Sequence, residues 1–222
     1  MRKNSWWLVG VVVLSAVLAA TACKKKEEPA QGNAAPEGGA AQGASKTLAN
    51  LQAAFDGESN AHARYAAFAE KADADGYKDV ARLFRAASRA EQIHAEHHAE
   101  VIRKLGAEPT AEVKKPEVKT TAENLQAAID GETYEKETMY PEFLAAAEAE
   151  EQDDAYRTFN FAKAAEADHA SLYAAALADL EGWKTGAKTF FVCPICGRTV
   201  TTVDFDSCSV CGEAGSAYES IA

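Results

Sequence analysis

Two short segments of this sequence place a glutamate and a histidine three residues apart, Glu91-Gln-Ile-His94 and Glu166-Ala-Asp-His169. Two others end on Gly-Glu: Asn50-Leu-Gln-Ala-Ala-Phe-Asp-Gly-Glu58 and, with one residue changed, Asn124-Leu-Gln-Ala-Ala-Ile-Asp-Gly-Glu132. Residues three apart share a helix face, so each Glu-x-x-His pair can converge on one point. A glutamate from each of two helices, with Glu-x-x-His from each of two more, is the ligand set of dinuclear carboxylate bundles. Glu135, one turn beyond Glu132, is a seventh candidate ligand, and the first copy has Ala61 in its place. Glu58, Glu91, Glu132, Glu135 and Glu166 could not all stay ionised together in a bundle interior without cations. Two divalent ions would supply four positive charges, and a mixed carboxylate–imidazole set suits iron or manganese better than a soft metal. A single Glu-x-x-His in an Ala/Glu-rich helix is ordinarily a solvated face; two copies in register with two Gly-Glu copies point to a metal site. His97 and His98 have no partner in the other repeat and read as surface residues, and His62 as surface or as a neighbour of a ligand.

The end of the chain offers a second chemistry. Cys193-Pro-Ile-Cys196-Gly and Cys208-Ser-Val-Cys211-Gly are paired Cys-x-x-Cys knuckles, the pattern of a tetrahedral four-thiolate site. The glycine after each knuckle permits the tight turn that aims backbone N–H groups at sulfur. Two disulfides are the rival for an exported chain. Adjacent knuckles favour metal, and zinc and iron both fit the spacing. Residues 189–192 and 199–203 read as short strands around a domain too small to fold without its metal.

The nine-residue repeat fixes the elements that must carry the ligands. It sets an offset of 74 residues, which becomes 75 by the Glu-x-x-His pairs, so one residue is inserted between. Each repeat reads as two long helices, breaking at Asp73-Ala-Asp-Gly76 in the first and near Glu151-Gln-Asp-Asp154 in the second. Thr120-Thr-Ala-Glu123 has the form of a capping box that starts the third helix. Leu105-Gly106 ends the second, and residues 107–119 form the long connection between repeats. Helices are therefore predicted at about 46–73, 77–105, 121–150 and 152–181, each ~40 Å long and suited to a four-helix bundle. Their apolar letters are mostly alanine, which lets helix axes approach closely.

Bulk composition narrows the partners. The 222-residue chain has 26% charged residues and a net charge of −11, which argues against duplex nucleic acid. The amino terminus has the layout of an export signal: a basic start, Met1-Arg-Lys-Asn-Ser5, then an apolar run from Trp6 to Ala20. It ends in Ala20-Thr21-Ala22-Cys23, which resembles the lipobox of bacterial lipoproteins, with Ala20 where leucine is more usual. That resemblance implies cleavage before Cys23 and a lipid on its sulfur. An uncleaved anchor is the alternative reading, since an apolar run of this length can just span a bilayer. Either way the remainder is tethered outside the cytoplasm, through a polar stretch from Lys24 to about Ser45 with no apolar periodicity. The five cysteines divide into one lipid site and four ligands. The predicted organisation is signal 1–22, tether 23–45, bundle 46–182 and four-cysteine domain 183–222.

A duplicated Glu/Glu-x-x-His bundle followed by a four-cysteine tail resembles rubrerythrin, over about residues 46–222. Phe55-Asp-Gly-Glu58 with Arg64-Tyr65, and Gly131-Glu132 with Thr138-Met139-Tyr140-Pro141, are similar to phrases of that family. The resemblance implies a mainly α fold: a ferritin-like four-helix bundle holding two iron ions, followed by a small rubredoxin-like domain holding one iron or zinc. It implies reduction of hydrogen peroxide to water, with electrons relayed through the rubredoxin-type site. In that scheme Glu91 and Glu166 bridge the irons, Glu58 and Glu132 are terminal ligands, and His169 binds the second iron. The first iron exchanges Glu135 for His94 on reduction, and Tyr65 and Tyr140 lie beside the centre. The family further implies an antiparallel homodimer, with one subunit's tail near the other's centre. The export signal departs from a mostly cytoplasmic family and requires an extracytoplasmic electron donor. Ferrous-iron oxidation or iron handling, and a non-catalytic electron-transfer role, are the alternative functions.

Overall fold

The computed structural model describes residues 45–221; the predicted export signal, Cys23 and the predicted tether as far as residue 44 lie outside them. Five helices carry most of the described chain: α1 (Lys46–Ala74), α2 (Lys78–Lys104), α3 (Thr121–Tyr134), α4 (Tyr140–Ala149) and α5 (Asp153–Ala178). Local chemistry sets their ends. Ser45 caps α1 by accepting from the Leu48 N–H at 3.2 Å. Thr120 and Glu123 form a reciprocal capping box at the start of α3. Gly76 and Gly106, at φ of +85° and +81°, turn the chain out of α1 and α2 in the left-handed conformation that favours glycine.

The segment predicted as one helix over 121–150 is interrupted. Between α3 and α4 lies a π-helical turn, Glu135–Met139, in which the Tyr140 N–H reaches back to the Glu135 carbonyl. Pro141 follows at once, and its missing N–H cannot continue the normal ladder. This turn absorbs the inserted residue. Glu58 and Glu132 are 74 apart, whereas Tyr65 and Tyr140 beyond it are 75 apart. One added residue accommodated as a single wide turn is the usual origin of a π bulge, and such bulges cluster at functional sites. The last helix also stops at Ala178, short of the predicted 181, because residues Leu180–Trp183 tighten into a 3-10 turn capped by Asp179.

α1 packs along α2, α3 and α4 pack on α5, and α2 meets α5 across the middle. Small residues line the α1–α2 seam, among them Ala61, Ala69, Ala72, Ala86, Ala87 and Ala90, so the axes lie close. Two aromatic groups fill the bundle. Tyr65, Phe68, Phe84 and Tyr173 form one, with Phe84 and Tyr173 ring centroids 5.1 Å apart. Tyr140, Phe143 and Phe159 form the other, with Phe143 and Phe159 centroids at 5.4 Å. Phe84 and Phe159 occupy equivalent positions 75 residues apart.

The tail is a three-stranded antiparallel sheet of order β2-β1-β3: β1 (Phe190–Val192), β2 (Thr199–Val200) and β3 (Glu219–Ile221). β2 is shorter than the predicted 199–203, and β3 was not anticipated. The sheet is docked on its own chain's bundle, which differs from the expected placement of one subunit's tail near the other's centre. Phe190 and Val192 join the core that contains Phe84, and Arg89 of α2 makes a two-pronged bond to Glu219 at 2.8 and 2.9 Å. Arg198 likewise holds Asp168 of α5 at 2.9 Å. Among the described residues no helix is long and apolar enough to cross a membrane.

Glu150, just after α4, ties the start of α1 to the second repeat. Its carboxylate accepts from Ser45 Oγ at 2.6 Å, the Lys46 N–H at 2.8 Å and the Thr47 N–H at 3.1 Å. These bonds, Ser45 first, hold its pKa down at about 2. A depressed carboxylate contributes stability above its unfolded value and loses it as pH falls through the folded value. A Glu150→Gln variant is therefore expected to melt below the parent at pH 6, and the gap to close as pH approaches about 2. A gap unchanged across that range in thermal melts would rule this tie out.

Candidate metal centre

Two groups of four ligands meet at mid-bundle. Glu58, Glu91, His94 and Glu166 offer one set of atoms within 4.8 Å of one another, and Glu91, Glu132, Glu166 and His169 offer a second. Glu58 comes from α1, Glu91 and His94 from α2, Glu132 from α3, and Glu166 and His169 from α5. All six are buried. Glu91 and Glu166 belong to both groups, and their geometry shows how. Glu91 puts Oε2 3.0 Å from His94 Nδ1 and Oε1 3.4 Å from His169 Nδ1. Glu166 does the converse, with Oε2 2.9 Å from His169 Nδ1 and Oε1 3.2 Å from His94 Nδ1. Each carboxylate thus extends one oxygen to each half, as a bridging ligand would.

Glu135 stands apart. It lies in the π turn and belongs to neither group of four, whereas His94 is inside the cluster. Ala61, its counterpart 74 residues earlier, is packed in the core. The wide turn therefore carries the one candidate ligand with no twin.

The two repeats lock each other's terminal carboxylates. Tyr65 from the first donates to Glu132 Oε1 of the second at 2.6 Å, and Tyr140 from the second donates to Glu58 Oε1 of the first. His98 is not a surface residue: it is fully buried, with Nε2 3.2 Å from Tyr140 Oη and Nδ1 3.1 Å from Thr158 Oγ1. Its repeat partner, at the offset of 75, is Tyr173, which packs 5.6 Å from Tyr65 between ring centroids. Applying that offset to every polar residue, not only to the Glu-x-x-His pairs, would have found both. His97 is half-buried against Phe161, with ring centroids 6.4 Å apart. His62 is also half-buried, 2.7 Å from the Ser88 carbonyl, and neither joins the cluster.

The charge in this cavity is resolved by protons when no cation is present. Burial, reinforced by the neighbouring carboxylates, pushes Glu58 and Glu132 well above the usual carboxylate range. Burial, then Glu166 and Glu91, pushes Glu135 up to about 8. Burial alone would discharge His169, but Glu91 and Glu166 hold it protonated up to about 10. Four buried carboxylate oxygens still have no hydrogen-bond partner: Glu58 Oε2, Glu91 Oε1, Glu132 Oε2 and Glu166 Oε1. One orphan on each of four converging carboxylates is costly unless a cation takes it. The residues present therefore fit a pair of metal ions.

The four-cysteine site is built as the knuckles require. Cys193, Cys196, Cys208 and Cys211 gather their sulfurs within 4.8 Å of one another. Cys193 and Cys211 Sγ are 3.5 Å apart and Cys196 and Cys208 Sγ 3.6 Å. These separations exclude disulfides, whose sulfurs lie ~2.05 Å apart, and approach the ~3.8 Å edge of a tetrahedron with ~2.3 Å metal–sulfur bonds. The two turns are alike: Gly197 N–H donates to the Cys193 carbonyl at 3.0 Å and Gly212 N–H to Cys208 at 2.9 Å. Both glycines are left-handed, at φ +73° and +82°. Gly197 has a second reason to lack a side chain, because a Cβ there would collide with His94 Nε2. That nitrogen sits 3.1 Å from the Cys196 carbonyl. A single hydrogen bond thus joins a ligand of the dinuclear site to a ligand of the four-thiolate site, within one chain.

Four helices around paired carboxylate–histidine ligand groups define a ferritin-like dinuclear metal protein, here with a rubredoxin-like four-cysteine domain attached. The chain belongs to the rubrerythrin family, whose model matches residues 49–177. It is 39% identical to nigerythrin of Nitratidesulfovibrio vulgaris over 168 residues, covering 74% of this chain and 81% of that protein. It is 35% identical to rubrerythrin-2 of Clostridium acetobutylicum over 164 residues, 73% of this chain and 89% of that one. The structure of fully reduced, all-ferrous nigerythrin superposes with a TM-score of 0.74 at 35% identity, covering 82% of this chain and 90% of the other. A bacterioferritin of Mycobacterium tuberculosis shares the fold, with a TM-score of 0.58 at 20% identity over 64% of this chain and 89% of that one.

Proposed function

We propose that this protein is a non-haem di-iron peroxidase that reduces hydrogen peroxide to water, refilled through an iron in the four-cysteine site. One observation carries the reading: a cluster able to hold two metal ions lies one hydrogen bond from a four-thiolate site, through His94 Nε2–H and the Cys196 carbonyl. Bound iron would supply one electron per ion, so the pair matches the two electrons that an O–O bond takes up on cleavage. The balance is one peroxide, two electrons and two protons in, and two waters out.

The chain's own residues do the rest. Glu91 and Glu166 hold the two halves at one separation, and the aromatic groups on either side exclude water from them. Tyr65 and Tyr140 fix the terminal carboxylates by donating to them. Glu135, protonated at neutral pH in the metal-free protein, stands next to the cluster without joining it. Exchange of His94 for Glu135 on oxidation is the ligand movement this asymmetry supports, and the wide turn gives Glu135 the backbone latitude for it. The protein acts, in this reading, as an exported homodimer anchored by a lipid on Cys23 and fed by an extracytoplasmic one-electron donor.

Metal analysis combined with anaerobic rapid mixing tests the reading. Iron in both sites, and oxidation of the reduced protein by peroxide ~100-fold or more faster than by oxygen, is the expected result. Zinc in the four-cysteine site, with oxygen the faster oxidant, would assign the bundle to ferrous-iron oxidation instead.

A further inference from the structure

The four-cysteine domain does more than sit near the bundle: it supplies the hydrogen-bond acceptor behind each histidine of the dinuclear cluster. His169 points Nδ1 at Glu91, Glu132 and Glu166, at 3.4, 3.7 and 2.9 Å. Its other nitrogen, Nε2, lies 3.0 Å from Thr199 Oγ1. Thr199 comes from β2, where it pairs with Val192, and its side chain is enclosed, with 1% of the residue exposed. The hydroxyl has a partner for its own proton, the Gly197 carbonyl at 3.2 Å. The chain of donors therefore runs from His169 Nε2–H to Thr199 Oγ1 and from the Thr199 O–H to Gly197. His94 is treated in parallel, with Nε2–H donating to the Cys196 carbonyl, which can only accept.

We propose that Thr199 is a positioning residue for the dinuclear centre: its hydroxyl holds His169 in the tautomer that presents the Nδ1 lone pair to the metal. A ligating imidazole must carry its proton on the far nitrogen, and the acceptor found there fixes both the tautomer and the ring orientation. Main chain performs this task for His94 and a side chain for His169. Only the second can be edited without touching the backbone. The consequence is a division of labour within one loop. Cys196 serves the four-thiolate metal, Gly197 clears space for His94 and accepts from Thr199, and Thr199 orients His169. Assembly of the tail and metal retention in the bundle are coupled through four residues, 196–199, which run from the end of the first knuckle into β2. The inference rests on the cluster being a metal centre.

The test uses the full-length, iron-loaded protein and three variants: Thr199→Val, which keeps the shape and removes the hydroxyl, Thr199→Ala, and Thr199→Ser, which keeps the hydroxyl. The readout is the rate at which a ferrous chelator withdraws bundle iron, with the visible absorption of the four-cysteine site monitored for integrity of the tail. Valine is expected to speed loss of one of the two bundle ions by about 10–100-fold, and serine to restore the parent rate. Release from the valine and alanine variants at the parent rate, with the tail spectrum intact, would overturn the proposal. So would a serine variant as leaky as valine, which would assign the effect to the lost methyl group.

A measurement on the unmodified chain covers the case in which the variants fail to assemble their tail. In diamagnetic protein loaded with zinc, long-range proton–nitrogen correlation identifies each histidine tautomer. His169 is expected with Nδ1 metal-bound and a slowly exchanging Nε2–H, and exchange at the bulk rate would again overturn the proposal. Failure of the parent protein to bind any metal in the bundle would instead remove the functional reading on which this one stands.

Discussion

Replacing Glu166 with alanine is expected to strip both metal ions from the bundle and to lower peroxide turnover by well over ~100-fold, beyond the loss typical of a ligand's supporting partner. The reason lies in where its two oxygens go. Oε2 faces His169 and Oε1 faces His94, so one substitution removes a ligand from both groups at once. Glu58→Ala or Glu132→Ala should be milder and asymmetric, since each belongs to one group only. Stability supplies a second signature. In the metal-free protein Glu166 crowds Glu58, Glu91, Glu132 and Glu135, and Coulomb repulsion from it helps raise the pKa of Glu58, Glu132 and Glu135. Glu166 is also the carboxylate partner of the buried His169 and His94, so its removal leaves their charge less compensated and the metal-free variant should melt somewhat below its parent. Iron should stabilise the parent by about 4 kcal/mol when present at ~1,000 times its dissociation constant, and the variant hardly at all. Thermal melts with and without ferrous iron distinguish this from a packing defect, which would lower both melts alike. A variant retaining two ions per bundle would contradict the assigned bridge.

Converting Cys208 to serine is the second large effect. The tail's strands are two or three residues long, and its own core contains three of the metal ligands. Metal binding in small thiolate domains contributes on the order of 10 kcal/mol to folding, so losing one ligand is expected to unfold the tail rather than loosen it. The damage then spreads along the tail's contacts with the bundle. Phe190 and Val192 leave the bundle core, Arg89 loses Glu219, and both histidines lose the acceptors behind them. Steady-state turnover from a one-electron donor should fall ~100-fold or more, from the combined loss of the relay and of the histidine supports. The bundle itself, whose α1–α2 and α3–α5 seams do not involve the tail, should keep its helicity. Limited proteolysis near residues 184–189, together with circular dichroism, checks both halves. Unchanged turnover in a variant without the four-cysteine chromophore would remove that site from the electron path.

Much of the site was legible because its parts are local. Glu-x-x-His lies within one helical turn, Cys-x-x-Cys within one knuckle, and the repeated nonapeptide marks the two glutamates that pair them. The bundle followed from the same duplication, with caps at Thr120 and breaks at Gly76 and Gly106 set by neighbouring residues. What escaped was set by contacts across the fold. The offset had already moved from 74 to 75, yet that an extra residue becomes a π turn under Glu135 depends on the backbone's response to Pro141. His98 reads as exposed in the sequence because the other repeat has no histidine at the matching position, Tyr173. The burial of His98 arises from long-range packing against Tyr140 and Phe159 and from its polar contacts with Tyr140 and Thr158. β3 and the acceptor role of Thr199 depend on how the tail seats against α2 and α5, which no local pattern in 199–221 encodes.

The central claim, a two-electron di-iron site refilled by a one-electron iron, is tested most directly by counting electrons. Fully reduced protein with three ferrous ions per chain holds three electrons, and each peroxide takes two. Anaerobic titration should therefore reach its end point at about 1.5 peroxides per chain, with bundle and four-cysteine sites both oxidised and no hydroxyl radical trapped. An end point of ~0.5 per chain, with only the four-cysteine iron oxidised, or radical released in proportion to peroxide consumed, would contradict it.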